Sequence, residues 1–475
     1  MLCVVTCGGC GKKSVPNGDD SSDPASPETT TTAVEQLEQL APPVEVNAPI
    51  EQPTVVPDLE SPDTQRIYRR SDDRAVVNQQ RLNGTKVRRY ESKRLILYTD
   101  LEPAIAETLP AYADELYQAL VDFFGELPPN REGTGFQATG YLMCQQQTFR
   151  ERNLWPQRVP EFKSGRHLGY EFWLFDQTKD YYRRHLMLHE FTHCFMSCVT
   201  GTSNAPPAWY MEGTAEFFAT HRKTADGTQF GVMPENRKDY AGHDRIMSLN
   251  RVPVGSRESI ADVAAISADD TMLYPWAWAA CWFLMNHPAT HEQFRAIGTH
   301  LTAAEFAERW ELIARSQSAQ LAAEWSVFVD QLRPGYDIHR GATRFAAGQS
   351  LAAGASVGLK VDVARGWQST GVLLEADGVY RVEASGRFQV SDEPKPWISE
   401  ANGVSIEYVG EHRLGCLLGS VFGVAKPGSL AKEFPVGSKS DLLNRAGVLY
   451  LRVNDRMNSL ANNDGELAVK VTRLR

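Results

Sequence analysis

Several features that would place a chain in a common class are missing from this sequence. No run of about 20 apolar residues, the length that a membrane-spanning helix needs, follows the extreme N-terminus. Basic residues are not in excess, because 49 Lys and Arg stand against 59 Asp and Glu and give a net charge of −10, which argues against a nucleic-acid-binding protein. The eight cysteines show no disulfide framework. What is present, 475 residues with 42% hydrophobic content, predicts two or three domains with sizeable cores.

The N-terminal 64 residues differ in composition from the rest. Residues 1–13 are similar to the end of a bacterial lipoprotein signal, with Cys10 as the acylated residue, but a basic n-region and a full apolar h-region are missing. The alternative is a redox or metal pair formed by Cys7 and Cys10. Residues 14–64 are rich in Pro, Ser, Thr, Asp and Glu and are typical of a flexible tether. We predict a cell-envelope or extracellular protein whose only membrane contact is a lipid anchor at Cys10.

A His-Glu-x-x-His motif occupies residues 189–193. Apolar residues at helical spacing predict a buried helix over 180–199. His189 and His193 are four residues apart, so both imidazoles share one helical face and can reach one metal ion. Glu190 is close enough to act on a water held by that metal. The alternative is a pair of histidines that are hydrogen-bonded within a core.

A catalytic zinc ion needs a third protein ligand and one open position. Glu212 and Glu216 lie four residues apart in a segment, 208–221, that reads as a second helix. Apolar neighbours on both sides favour Glu212 as a metal ligand over the common alternative of an exposed helical carboxylate. Glu216 is then placed to accept the N–H of a ligating histidine and to fix its tautomer.

These residues together resemble the gluzincin metallopeptidases, in which a glutamate inside W-x-x-E-G-x-A-E follows the first motif. The spacing is that of the aminopeptidase-N-like branch, and the wider pattern resembles the peptidase-MA-like domains of secreted bacterial proteins. The resemblance implies that His189, His193 and Glu212 bind Zn²⁺ and that Glu190 is the general base in peptide-bond hydrolysis. It also implies that Tyr274 stabilises the oxyanion, although a core or interface tyrosine is the alternative.

One motif of the aminopeptidase branch is absent. Where that branch has Gly-x-Met-Glu-Asn, residues 169–173 read Gly-Tyr-Glu-Phe-Trp. The alternation favours an edge strand that can hold an extended peptide, with Glu171 free to face solvent. The choice between an endopeptidase and an aminopeptidase therefore stays open. His243, in the segment 230–256, is a further candidate as a loop histidine near the site.

The segment 345–475 changes character to short, Val-rich strands separated by turn residues, which predicts a β-sandwich. Residues 454–465 place many Asn and Asp side chains between two of these strands. Ca²⁺ prefers six to eight oxygen ligands of this kind. The alternative is an ordinary hairpin loop, because the same residues favour turns.

This loop resembles that of the calcium-dependent galactose-binding bacterial lectins. The resemblance implies that Asp455, Asn462 and Asn463 are side-chain ligands of Ca²⁺, and that Ser459 and Val390 supply backbone oxygens. The His and Gln with which those lectins contact sugar are missing from the comparable stretch. The resemblance therefore does not imply galactose binding, and a different glycan remains an alternative.

The sequence as a whole predicts an α+β gluzincin-like metallopeptidase domain, with a small sheet and a helical half, followed by an all-β, jelly-roll-like sandwich. The predicted boundaries are 1–64 for the lipoprotein-like N-terminus and linker, 65–340 for the peptidase domain and 345–475 for the lectin-like domain. The predicted function is a zinc-dependent peptidase acting on a peptide or protein substrate. The alternative is a carbohydrate-binding surface adhesin whose peptidase-like domain is structural or weakly active.

Overall fold

The computed structural model describes residues 68–69, 71–72, 74, 76–200, 206–298, 303–316, 318–423 and 429–475. Internal contacts group Gln65–Arg475 into one compact unit. The predicted lipid anchor at Cys10 and the predicted linker lie outside the described residues, and the predicted domain boundaries stay predictions. In the described part of the chain, no helix has the length and apolar character needed to cross a membrane.

A five-stranded mixed sheet forms the first layer, in the order β1-β2-β3-β5-β4. Its strands are β1 (Arg88–Glu91), β2 (Leu95–Thr99), β3 (Ala138–Met143), β4 (Gly165–Leu168) and β5 (Glu171–Phe175). Strands β2, β3 and β5 are parallel neighbours. β4 pairs antiparallel with β5 and is the edge strand.

Helices cover this sheet and form most of the chain up to residue 341. They are α1 (Gln79–Leu82), α2 (Pro103–Ala106), α3 (Leu109–Phe124), α4 (Gln146–Glu151), α5 (Asp180–Thr200), α6 (Ala208–Ala219), α7 (Arg245–Asn250), α8 (Ile260–Ala265), α9 (Leu273–Asn286), α10 (His291–Gly298), α11 (Ala303–Ser316), α12 (Ser318–Gln331) and α13 (Ile338–Gly341). A hairpin of β6 (His221–Thr224) and β7 (Gly227–Phe230) follows α6.

The central helix α5 is held by aromatic packing against the sheet side of the core. The rings of Phe191 and Phe195 meet Phe136 edge-on at centroid distances of 5.6 and 5.8 Å. All three side chains are buried, and each contributes about 1.5–3 kcal/mol of burial free energy. Helix α6 can approach α9 closely because Gly213 has no side chain. A Cβ at that position would lie only 2.4 Å from the carbonyl oxygen of Ala277. These contacts fix α5, α6 and α9 around the site described below.

Two further sheets form the strand-rich C-terminal region. Their strands and the small strands beside them are β8 (Gln349–Ser350), β9 (Ser356–Asp362), β10 (Gln368–Leu374), β11 (Tyr380–Ser385), β12 (Phe388–Ser391), β13 (Trp397–Ser399), β14 (Tyr408–Val409), β15 (His412–Arg413), β16 (Leu417–Phe422), β17 (Phe434–Pro435), β18 (Lys439–Leu442), β19 (Gly447–Val453) and β20 (Glu466–Arg473). The sheet orders are β17-β16-β19-β10-β8 and β18-β11-β20-β9. Alternate residues of both sheets share one core, for example Val372, Val382, Leu451 and Val469.

The loop between β19 and β20 packs against the helical part of the chain. Met457 and Leu460 are each 1% exposed and belong to the same hydrophobic core as Tyr336 and Ile338. The backbone N–H of Asp337 donates to the carbonyl of Met457 at 3.2 Å. The loop is therefore buried on one side and does not project freely into solvent.

The structure defines a chain of mixed α and β structure with many strands in its C-terminal region. Two local predictions were wrong. The strand expected at the sheet edge, β5, is an interior strand, and the edge is formed by β4. Glu171 is 4% exposed, not solvent-facing, because it accepts a hydrogen bond from the Tyr141 hydroxyl at 3.1 Å and forms an ion pair with Arg158.

Candidate metal centre

Helices α5 and α6 bring three predicted ligand atoms together in a nearly equilateral triangle. The Nε2 atoms of His189 and His193 are 3.1 Å apart, and Oε2 of Glu212 lies 3.3 Å from each of them. A tetrahedral zinc ion with bonds of about 2.0–2.2 Å keeps its ligand atoms roughly 3.3–3.5 Å apart. The residues present therefore fit a zinc ion, with a fourth position left for water or substrate.

The electrostatics of this triangle call for a positive charge at its centre. Burial lowers the pKa of His189, but the nearby carboxylates of Glu212 and Glu216 outweigh it and raise that pKa to about 10. Burial acts to raise the pKa of Glu212, and the two histidines bring it well below its usual range. A proton can join only two of the three atoms, whereas one divalent cation contacts all of them.

Glu216 lies directly behind the triangle and is 1% exposed. Its Oε1 is 3.2 Å from Nδ1 of His189, the ring nitrogen that faces away from the triangle, at an ion-pair distance but without the alignment of a good hydrogen bond. Arg245 donates from Nε and Nη2 to the two carboxylate oxygens of Glu216, both at 2.9 Å. The Nε2 atom of His185 lies 3.2 Å from Oε2. The buried carboxylate is therefore compensated by a guanidinium and by two imidazoles.

A second group, formed by His185, Glu216 and His243, also has ligand atoms within 4.8 Å of one another. Burial, with smaller effects from neighbouring charges, lowers the pKa of both histidines, so both are neutral imidazoles near pH 7. The guanidinium of Arg245 already occupies both oxygens of Glu216. A second cation at Glu216 would face that charge directly, so the triangle is the better metal site.

Glu190 follows His189 and points toward the edge strand β4. Its Oε2 is 3.7 Å from Nδ1 of His167, whose ring stacks on His193 with centroids 4.5 Å apart and planes 19° apart. A Cβ built on Gly165 would lie only 2.4 Å from Oε1 of Glu190. The carboxylate thus lies beside the metal triangle, between Gly165 and His167.

Tyr274 is the second residue of helix α9 and lies beside the same triangle. Its ring centroid is 6.1 Å from that of His189, and the guanidinium of Arg245 lies 5.6 Å from its ring centroid. Burial and the nearby carboxylates raise the pKa of Tyr274. The hydroxyl therefore remains protonated near neutral pH, and the residue as a whole is 38% exposed.

Sequence reasoning did not find three contributors to this site: Gly165, His167 and Arg245. His167 and Gly165 stand two residues apart on one face of a strand, and Arg245 begins the short helix α7. For Gly165 and His167 a local signal existed in the sequence, because residues alternate between the two faces of a strand. In β4, Gly165 and His167 lie on the inward face, and Arg166 and Leu168 are exposed.

The C-terminal loop contains buried oxygen atoms that lack a donor within the described residues. They are Oδ1 of Asn454, Oδ2 of Asp455, Oδ1 of Asn462 and Oδ1 of Asn463. Burial raises the pKa of Asp455, as expected for a carboxylate without a compensating cation. Unpaired buried oxygens of this kind are costly unless a cation or water satisfies them.

Of the two predicted backbone ligands, Ser459 lies within this loop, and Val390 follows a residue whose backbone pairs with the end of the loop. Ser459 ends the turn that leads into a short 3-10 helix at Leu460–Asn462. Val390 follows Gln389, whose backbone pairs with Asp464 in both directions at 2.9 and 3.1 Å. Asn454, which was not predicted as a ligand, joins the set of unpaired oxygens.

No protein-family model matches the chain, and no curated protein matches it in sequence. Among solved structures, the EclA N-terminal domain, a PllA-like lectin, is 22% identical with a TM-score of 0.20, covering 24% of this chain and 94% of that chain. Aeromonas hydrophila PliG, a periplasmic lysozyme inhibitor of g-type lysozyme, is 11% identical with a TM-score of 0.17, covering 28% of this chain and 99% of that chain. TM-scores this low establish neither a fold nor a function for this chain.

Proposed function

We propose that this chain is a zinc-dependent peptidase of the gluzincin type. The observation that carries the proposal is the triangle of His189, His193 and Glu212, whose ligand atoms are 3.1–3.3 Å apart, with Glu190 immediately beside it. The donor set of two imidazoles and one carboxylate is that of catalytic zinc sites with an open fourth position.

Each residue near the triangle has a defined task in this proposal. Zinc, when bound, polarises the scissile carbonyl and makes a water molecule more acidic. Glu190 takes the proton of the attacking water and passes it to the leaving amine. Tyr274 donates a hydrogen bond to the oxygen that becomes negative. Glu216 holds His189 in the tautomer whose Nε2 lone pair faces the triangle.

The edge strand β4 is the element on which an extended peptide substrate would lie. In the sheet it has a strand partner on one side, β5, and the face that carries Gly165 and His167 lies against Glu190. A peptide can add to such an edge through main-chain hydrogen bonds. We therefore expect a peptide or protein substrate bound in extended form.

The test compares the wild-type chain with Glu190→Gln, and uses the exposed Glu126→Gln as a control that removes the same charge elsewhere. All three proteins should retain about one zinc ion per chain, measured by elemental analysis. Hydrolysis of a peptide library should fall by at least ~10²–10⁴-fold only in Glu190→Gln. A wild-type protein that holds zinc and cleaves nothing in a broad panel would favour the binding-protein alternative.

The C-terminal region supports a second, accessory function, the binding of a cation of calcium type by the loop that contains Asp455. The unpaired buried oxygens of that loop favour it, since Ca²⁺ prefers carboxylate and amide oxygens. An ion pair of 3.1 Å between Glu407 and Arg456 holds the segment with the exposed residues Ile406 and Tyr408 against the loop. That exposed apolar surface beside the proposed cation site is suited to contact a glycan.

Calcium binding is tested on the full chain by thermal unfolding. Millimolar Ca²⁺ should raise the melting temperature, since an ion at 100 times its Kd adds about 2.7 kcal/mol to stability. Asp455→Ala should abolish the shift, whereas Asp464→Ala, which changes an exposed carboxylate in the same loop, should leave most of it. A melting temperature that ignores both calcium and chelator would identify an ordinary turn. A calcium-dependent signal on a glycan array would support the adhesin alternative. The proposed location, anchored at Cys10 in the cell envelope, suits both the peptidase and the adhesin.

A further inference from the structure

The glycine at position 165 is not required by its own backbone. Gly165 is absent from the glycines with positive φ among the described residues, so its conformation is open to any L-amino acid. Glycine inside a strand weakens the strand, and a reason for it must be found in its surroundings. The three heavy atoms nearest to a Cβ at this position all belong to the side chain of Glu190, with Oε1 at 2.4 Å and both Cδ and Cγ at 3.1 Å.

The residue two positions further along the strand faces the same carboxylate. His167 lies on the same face of β4 as Gly165, since alternate residues of a strand point the same way. Its Nδ1 is 3.7 Å from the second oxygen of Glu190. Its ring is fixed by stacking on His193, with centroids 4.5 Å apart. The two residues therefore border the two oxygens of one carboxylate.

We propose that the edge strand β4 positions the Glu190 carboxylate, with Gly165 making room for Oε1 and His167 restricting Oε2. A free glutamate side chain has three rotatable bonds, and a general base that occupies several rotamers is seldom in the reactive position. Strand β4 restricts the rotamers of Glu190, because the backbone at Gly165 borders Oε1 and the imidazole of His167 borders Oε2. The inference rests on the proposed role of Glu190 as general base.

The first test adds one methyl group. Gly165→Ala places a Cβ only 2.4 Å from Oε1 of Glu190. Because the carboxylate is the flexible end of a side chain, it can move aside, and the fold should tolerate the change. We expect kcat to fall about 10–100-fold, with KM and zinc content nearly unchanged, because misplacement by about 1 Å costs on that order. The matched control is Gly358→Ala, since Gly358 lies in strand β9 with open space around its Cβ position.

The second test concerns the imidazole. His167→Asn keeps an N–H donor near the position of Nδ1 and should retain more of kcat than His167→Ala. Arg88→Ala, an exposed position on β1 at the opposite edge of the same sheet, should leave kcat unchanged. Equal losses in the Asn and Ala variants would show that the imidazole contributes only bulk, and would remove His167 from the proposal.

A double-variant cycle with Glu190→Asp separates positioning from general damage. Aspartate is one methylene shorter and withdraws the carboxylate from Gly165, so Gly165→Ala should cost much less in that background, both in kcat and in melting temperature. Additive losses in both readouts would overturn the proposal. Should the wild type hydrolyse nothing, the proposed function fails, and coupling in the melting temperature alone still decides whether β4 and Glu190 act as a unit.

Discussion

The strongest quantitative expectation concerns the buried pair of Glu216 and Arg245. Their side chains are 1% and 14% exposed, and two hydrogen bonds of 2.9 Å join them. Glu216→Gln leaves the guanidinium without its counter-charge, and Arg245→Met leaves the carboxylate without its own. Breaking a buried pair from one side costs about 3–5 kcal/mol. Removing both charges together should cost much less than the sum of the two single changes.

Zinc affinity should follow a different pattern in the same four proteins. Glu216 is the residue that contacts Nδ1 of His189, at 3.2 Å, whereas Arg245 reaches the histidine only through it. Loss of a carboxylate behind a ligand weakens metal binding by about 10–100-fold. We therefore expect weak zinc binding in Glu216→Gln and in the double variant, and nearly normal zinc binding in Arg245→Met.

The assay combines denaturant unfolding of the metal-free proteins with competition for zinc against a chelator of known affinity. Stability should show coupling between the two positions, and affinity should depend on Glu216 alone. Zinc dissociation constants that simply track stability across the four proteins would refute the assignment of Glu216 as the residue that orients His189.

The remaining expectations concern a ligand and a buried histidine. Glu212→Gln removes the only anionic ligand of the triangle and should leave well under one zinc ion per chain after dialysis; full occupancy would show that another group completes the site. Burial lowers the pKa of His221 to about 3, and its stabilising contribution is therefore complete above about pH 6.5 and lost as the pH falls toward 3. By pH 5 the wild type should have lost about 2 kcal/mol that His221→Asn keeps, measured by urea unfolding at both pH values; equal losses would contradict the shift.

The local part of the site was accessible from the sequence. Spacing of four residues on a helix determines that His189 and His193 share a face, and the same rule joins Glu212 to Glu216. The structure brings all four side chains together. Helix α5 covers residues 180–200, and its predicted bounds differ by only one residue at the end. The bounds could be predicted because apolar periodicity over so long a segment is a strong signal.

The contributions from distant elements were not accessible. Arg245 meets Glu216 across 29 positions, and nothing local distinguishes it from an exposed arginine. The strand order places β4 outside β5, contrary to the prediction, because a short sequence pattern does not state which strand is the edge. The first four residues of β5 are all buried. Glu171 was left free to face solvent for the same reason, although its buried charge is paired with Arg158 and Tyr141.

The C-terminal loop shows how a resemblance can identify residues without their surroundings. The pattern of Asn and Asp directs attention to oxygens that have no hydrogen-bond partner among the described residues, but it does not reveal that Met457 and Leu460, between them in sequence, are 1% exposed within the core of the helical part. A fragment that begins at residue 345 would expose both, at a cost of about 1.5–3 kcal/mol each. It would also lose the hydrogen bond from the Asn458 amide to the carbonyl of Pro334, 2.9 Å long. Since this loop takes part of its shape from the helical half, any affinity of the proposed calcium site measured on such a fragment would understate that of the intact chain.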